Sequence, residues 1–245
     1  MRRTALAIAL LFAALLAAAA VVQTNPFVEA GVPATSRIWT GPDYTRAVEV
    51  LSAGKVPLPR FDDPQGAAIL DRITSTENLS LQRNKDVALS LRLQDFLQVQ
   101  QGATRLLSLY VNAKDIDYRP ELTRLAAFIL HSSAQGVDLA QEFTLTLPKD
   151  DTYATRMEGL KQMNDGLTRV FVGTEQMLSE RNNLAPGDLS ILLEAMATTL
   201  PRIKIVFPFD VRIELRKKLE ADRARFKKEE DVRRIDRMIG ELGGA

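Results

Sequence analysis

The chain of 245 residues is 46% hydrophobic and 26% charged, with a formal net charge of +1. This is an ordinary globular composition, long enough to bury a sizeable core and unlike that of a disordered chain. Without Arg2 and Arg3 it holds 30 basic against 31 acidic residues, and aromatics make up only 6%, so neither the charge nor the stacking platforms of a nucleic-acid binder are present. It has no cysteine, which excludes disulfide staples, a thiol nucleophile, thiolate metal sites and a lipidated cysteine.

Residues 1–22 have the order of an export signal. Arg2 and Arg3 precede an uncharged run from Ala5 to Val22, in which Ala18 and Ala20 form the A-x-A pattern that signal peptidases accept. A cut after Ala20 suits this pattern. The run of 18 residues also approaches the ~20 needed to span a bilayer, so a retained anchor is the alternative. In both cases the arginines stay cytoplasmic and the body follows the segment outward, to an extracytoplasmic location.

Residues 23–62 read as a proline-rich arm. Pro26, Pro33, Pro42, Pro57 and Pro59 lie in it, each fixing φ and removing an amide donor. One short helix interrupts it, capped by Asp43, with Val48, Val50 and Leu51 on its face and Gly54 at its end. Trp39 is expected to pin the arm to the body, or to sit at a membrane interface if the N-terminal segment is retained.

A helix bundle is expected over 63–200. Asp63 followed by Pro64 is a helix start, with the cap before the proline. A second helix is expected from about Asn84 to Asn112: Leu89, Leu93, Phe96, Ala103, Leu107 and Tyr110 recur at three-, four- and seven-residue spacing, which outweighs the strand-like alternation of Val87, Leu89, Leu91 and Leu93. A third runs from Pro120 through Gly136 to Leu147. A fourth is capped by Asp150 or Asp151, reaches about Glu180 and carries Met157, Leu160, Met163, Leu167, Val170 and Phe171. A fifth spans Leu189 to Leu200. The glycines at 102, 136, 159, 166 and 173 fall inside these patterns and suggest close helix approach or kinks, with a ligand groove as the alternative.

Residues 201–209 form an apolar segment between Pro201 and Pro208, read as a buried crossing or an exposed docking patch that includes Phe207 and Phe209. Residues 210–245 read as a charged amphipathic helix with a narrow apolar seam of Val232, Ile235, Ile239 and Leu242. From Asp210 to Arg237 it has 11 basic and 8 acidic residues, a mixed surface that disfavours anionic lipid or nucleic acid. The seam together with Phe207 and Phe209 is the candidate partner contact. The helix is expected to be an assembly element whose removal leaves the bundle folded.

Chemical motifs are thin. His131 is the only histidine, so a metal site or triad lacks partners, and no catalytic, metal or cofactor site is assigned. Asp115 and Asp117 are spaced as in a calcium loop, but Arg119 follows and no glycine supplies the turn. Asn78-Leu79-Ser80 is a glycosylation sequon of a kind common by chance. The expectation is an all-α protein, an up-and-down helix bundle with a proline-rich N-terminal arm and a charged C-terminal helix, behind a signal peptide or anchor. Its expected role is non-enzymatic, through contact with a protein partner or a second copy. The alternatives are a small-ligand or lipid-binding bundle with Met157, Met163 and Met177 as adaptable linings, then an enzyme using carboxylate, Ser or Lys chemistry.

Overall fold

A computed structural model describes residues 25–113, 116–146, 148–179 and 184–243, and these are helical with no strand among them. The segment 1–22 lies outside the described residues. No helix among those described is long and apolar enough to cross a membrane. The helices are α1 (Pro26–Glu29), α2 (Gly41–Ser52), α3 (Pro64–Ile73), α4 (Ser80–Arg83), α5 (Leu89–Asn112), α6 (Arg119–Thr146), α7 (Tyr153–Ser179), α8 (Pro186–Ile203), α9 (Phe209–Arg223) and α10 (Glu229–Gly243), with 3₁₀ turns at Thr76–Leu79 and Lys204–Val206.

Local chemistry explains most of these boundaries. The Asp63 carboxylate accepts the Gly66 amide at 2.8 Å, and Pro64 opens α3 as its missing donor allows. Helix α2 begins earlier than its acidic residue suggested. Thr40 is the cap, while Asp43 sits in the first turn, accepts the Thr40 amide at 2.9 Å and pairs with Arg37. Gly54, at φ +66°, carries the chain away from the end of that helix. Helix α5 starts at Leu89, five residues after the expected Asn84, because Ser80–Arg83 makes a separate turn. It is nevertheless helical through the alternating stretch, and Leu89 and Leu93 pack into the core. Pro201 does not stop α8, which runs to Ile203: a proline in the last turn forfeits one amide bond where the ladder is already ending.

Side-chain links give the register of the long helices. Arg92 meets Glu142, and Gln100 donates to Ser133, so α5 and α6 run antiparallel. Arg202 pairs with Asp138 while, further on, Ser190, Glu194 and Lys204 of α8 and its 3₁₀ extension meet Asp231, Arg234 and Glu241 of α10. Helices α8 and α10 are therefore parallel neighbours. Helix α6 is the axis of the molecule. It is buried almost all round from Leu125 to Ala140, as a helix surrounded by others must be.

Two apolar cores meet on α5 and α6. One holds Phe171, Leu192, Met196, Leu219, Ile235 and Met238 from the C-terminal helices. The other is built on the proline-rich stretch: Trp39, Tyr44, Val48 and Leu51 pack with Ile69, Leu106 and Phe128. Trp39 stands edge-on to Tyr44 at 5.8 Å, and Tyr44 stacks on Phe128 at 5.7 Å. Prolines prevent long helices here without preventing burial.

Candidate functional site

A groove of about 690 Å³ lies between the C-terminal half of α6 and the N-terminal half of α7. Val137, Ala140, Leu145, Met157, Leu160 and Val206 give it apolar walls. Leu145 is 88% exposed, the highest value among the exposed large apolar side chains of the described residues. The groove exists because α7 changes character along its length. From Leu167 onward its face is buried in the core, whereas no residue from Tyr153 to Gly166 is buried. Gly159 and Gly166 in that half have open space where a Cβ would stand, so they do not serve close packing. Polar groups mark the α7 wall: Lys161 and Asp165 are exposed, and the side-chain amide oxygen of Asn164 is buried without a partner.

The six residues expected to contact a partner are not brought together. Ile235 and Leu242 are buried in the chain's own core, Val232 and Ile239 pack half-buried against it, and Phe207 is buried against the Phe171 ring at 5.3 Å. Only Phe209 is open, at 71% exposure, beside Ile213 and Arg212. The stretch 210–245 is not one helix but the hairpin α9–α10, closed by Arg223 on Asp236. Its turn carries neither glycine nor proline. The buried Phe226 ring anchors it instead, and the seam faces α8. The apolar stretch 201–209 is divided in the same way, with Ile203 and Phe207 buried, Ile205 and Phe209 exposed.

The remaining polar candidates serve structure. The Asn78 side chain accepts the Trp39 amide and donates to the Tyr44 hydroxyl, each at 2.9 Å, and to the Arg72 carbonyl, so its sequon amide is fully engaged. Burial pushes the Tyr44 phenol up and keeps it neutral. Asp95 accepts the Gly41 amide at 2.7 Å and the Gln82 side chain at 3.1 Å, while Arg92, 3% exposed, donates to the Gln82 carbonyl and makes a fork with Glu142 at 2.7 and 3.0 Å. This chain of bonds ties α2 and α4 to α5 and α6. Arg119 draws the Asp117 carboxyl down to about 2 in a local turn, and Asp115 lies outside the described residues. His131 is half-buried and desolvation holds its pKa below the usual imidazole value. Ser133 accepts from Gln100, and Ser132 is buried with no partner for its hydroxyl. Among the described residues no group of three or more His, Cys, Asp or Glu side chains is placed to hold a metal ion.

Met157 was expected as a lining only under the ligand-binding alternative, and the groove as a whole was not foreseen. Leu145 is eight residues after the buried Val137, on the same row of α6, and the spacing does not reveal that the row leaves the core before it reaches Leu145. Met157 and Leu160 continue the stripe of Leu167 and Phe171, and nothing in that continuity reveals that the first half of α7 leaves the core. No family model, curated protein or solved structure matches the chain.

Proposed function

We propose that this is a non-enzymatic interaction protein, exported or held at the membrane by its N-terminal segment, in which an up-and-down bundle presents the α6–α7 groove to an amphipathic helix of a protein partner. The carrying observation is Leu145, 88% exposed at a groove walled by Val137, Met157, Leu160 and Val206. A leucine left in water beside half-buried apolar walls lowers its free energy when a partner covers it, and helix-in-groove recognition uses such a row of anchors. The open Lys161 and Asp165 on one wall give a partner charged contacts that set its register. The antiparallel pairing of α5 with α6 supports the up-and-down reading, and the Ala5–Val22 run supports export or anchoring.

A photo-crosslinking residue placed in native cells at Leu145 or Met157, with Glu158 on the outer face of α7 as control, tests the groove. The expected result is one discrete adduct from the two groove positions, with the adduct from Met157 abolished by Leu145→Asp in a folded protein. Equal labelling from Glu158, or no adduct from either groove position, refutes it. Sequencing the N-terminus of protein from soluble and membrane fractions decides between a start near Val21 and an intact anchor, and a cytoplasmic, uncleaved and unanchored protein overturns the location.

A further inference from the structure

A second space lies between α5, α6 and α7, away from the groove. Leu107, Ala126, Ile129, Val170 and Met177 line a crevice of about 310 Å³ whose surface is almost wholly apolar. Two features of α7 set it apart from a packing defect. The first is Gly173, which lines the crevice although a Cβ there meets nothing within 4 Å. Gly102 and Gly136 do something different: a Cβ would come within 2.6 Å of Tyr44 and 2.3 Å of Phe96, so those glycines permit close helix contact. Gly173 permits none, yet a glycine inside a helix costs roughly 1 kcal/mol against alanine. Gly159 and Gly166 also face open space, but at Gly173 that space is the crevice, which a larger side chain would enter. The second feature is Arg169, one turn earlier on the same helix. It lines the same crevice with an exposed guanidinium that makes no ion pair among the described residues.

We propose that this crevice binds a single-chain anionic amphiphile, a carboxylate on an unbranched alkyl chain. The chain lies among Leu107, Ile129, Val170 and Met177, and the carboxylate meets Arg169. Charge complementarity selects the class of ligand: an apolar slot favours an alkyl chain, and a planar guanidinium without a partner at its edge favours a carboxylate, which it can hold through two parallel bonds. Size narrows it further, since about 310 Å³ stands at the small end of the ~300–1,000 Å³ typical of ligand pockets and suits one chain of moderate length, not a two-chain lipid. Met177, unbranched and polarizable, can follow the chain as it fills the slot. The proposal does not depend on the α6–α7 groove, and neither site's failure bears on the other.

Calorimetric titration of the full chain with decanoate, with the neutral 1-decanol as comparator, tests it. The wild type is expected to bind one decanoate. Gly173→Leu fills the open volume and is expected to weaken binding of both ligands by roughly tenfold or more while its thermal unfolding stays at or above that of the wild type. Arg169→Gln, at an exposed position, is expected to weaken decanoate and leave 1-decanol unchanged, with the difference shrinking as salt is added. The proposal is overturned if the wild type does not bind decanoate, if Gly173→Leu binds it as tightly as the wild type, or if Arg169→Gln affects acid and alcohol alike. Should Gly173→Leu fail to fold, the acid–alcohol comparison in Arg169→Gln still decides.

Discussion

The same substitution, Gly→Ala, is expected to have opposite effects at two helix interiors. At Gly136 on α6 the added Cβ would stand 2.3 Å from Cζ of Phe96, 2.5 Å from Cε2 and 3.0 Å from Cε1. That is roughly 1 Å inside the carbon–carbon optimum of ~3.5–4.0 Å. The ring is 1% exposed and packed in the C-terminal core, so it cannot swing into solvent, and α5 must move away from α6. Overpacking of this kind costs about 1–3 kcal/mol, against which alanine returns about 1 kcal/mol of helix propensity. The net is a loss of up to about 2 kcal/mol, a fall in Tm of roughly 4–8 °C for a chain of this size. At Gly159 on α7 a Cβ meets nothing within 4 Å, so only the propensity gain remains: about 1 kcal/mol, or a rise of roughly 2–4 °C. Differential scanning calorimetry of the two variants beside the wild type reads both signs. Repeating Gly136→Ala in a Phe96→Leu background checks the cause, because a smaller side chain should relieve the clash and make the pair less costly than the sum. If both variants shift in the same direction, or if Phe96→Leu brings no relief, the contact between α5 and α6 is not the reason for the glycine.

Two further outcomes follow from the C-terminal half. The Glu175 side chain is nearly sealed from solvent, and burial raises its pKa despite the Lys218 ammonium at 3.2 Å. A carboxyl raised on folding stabilises the protein below its ordinary titration range and loses that contribution as pH climbs through the folded value, so Glu175→Gln should melt higher than the wild type at pH 7 and converge with it in acid; a lower Tm at pH 7 contradicts this. Truncation after Pro208 should remove the cooperative fold, contrary to the expectation from the sequence, since it strips Leu215, Leu219, Phe226, Ile235, Met238 and Leu242 from the core at about 1.5–3 kcal/mol for each fully buried side chain; a truncated chain that keeps its helicity and a sharp thermal transition would show the hairpin to be dispensable.

Helical class was legible because it rests on local periodicity, and the periodicity of α5 through α8 is long. Boundaries were legible where a side chain reports them directly, as Asp63 and Pro64 do for α3. The sequence could not say how much a short or irregular stretch is buried. The Trp39 amide donates to Asn78, its indole to the Ala34 carbonyl, and the Tyr44 ring stacks on Phe128, partners that lie 5 to 84 positions away in the chain. Prolines keep the helices of this stretch short, and the stretch was read as an arm beside the core. The two properties are separate, because a backbone that makes no ladder can still find partners in side chains.

The C-terminal hairpin illustrates the converse. Its charges suggested a solvated helix, and most of them are outside although Asp222 and Asp231 are buried, but an amphipathic helix reports only that it has an apolar face, not which surface that face meets. The seam from Val232 to Leu242 has the width that one neighbouring helix covers, and α8 of the same chain supplies that helix. The face left without a partner belongs to α7, where the apolar stripe continues through Met157 and Leu160 beyond the point at which the core ends. The proposed recognition surface is therefore not marked by an unusual composition. The groove arises where regular patterns outrun the neighbours that would bury them, Met157 and Leu160 on α7 and, on the facing helix, Leu145 eight residues beyond the buried Val137.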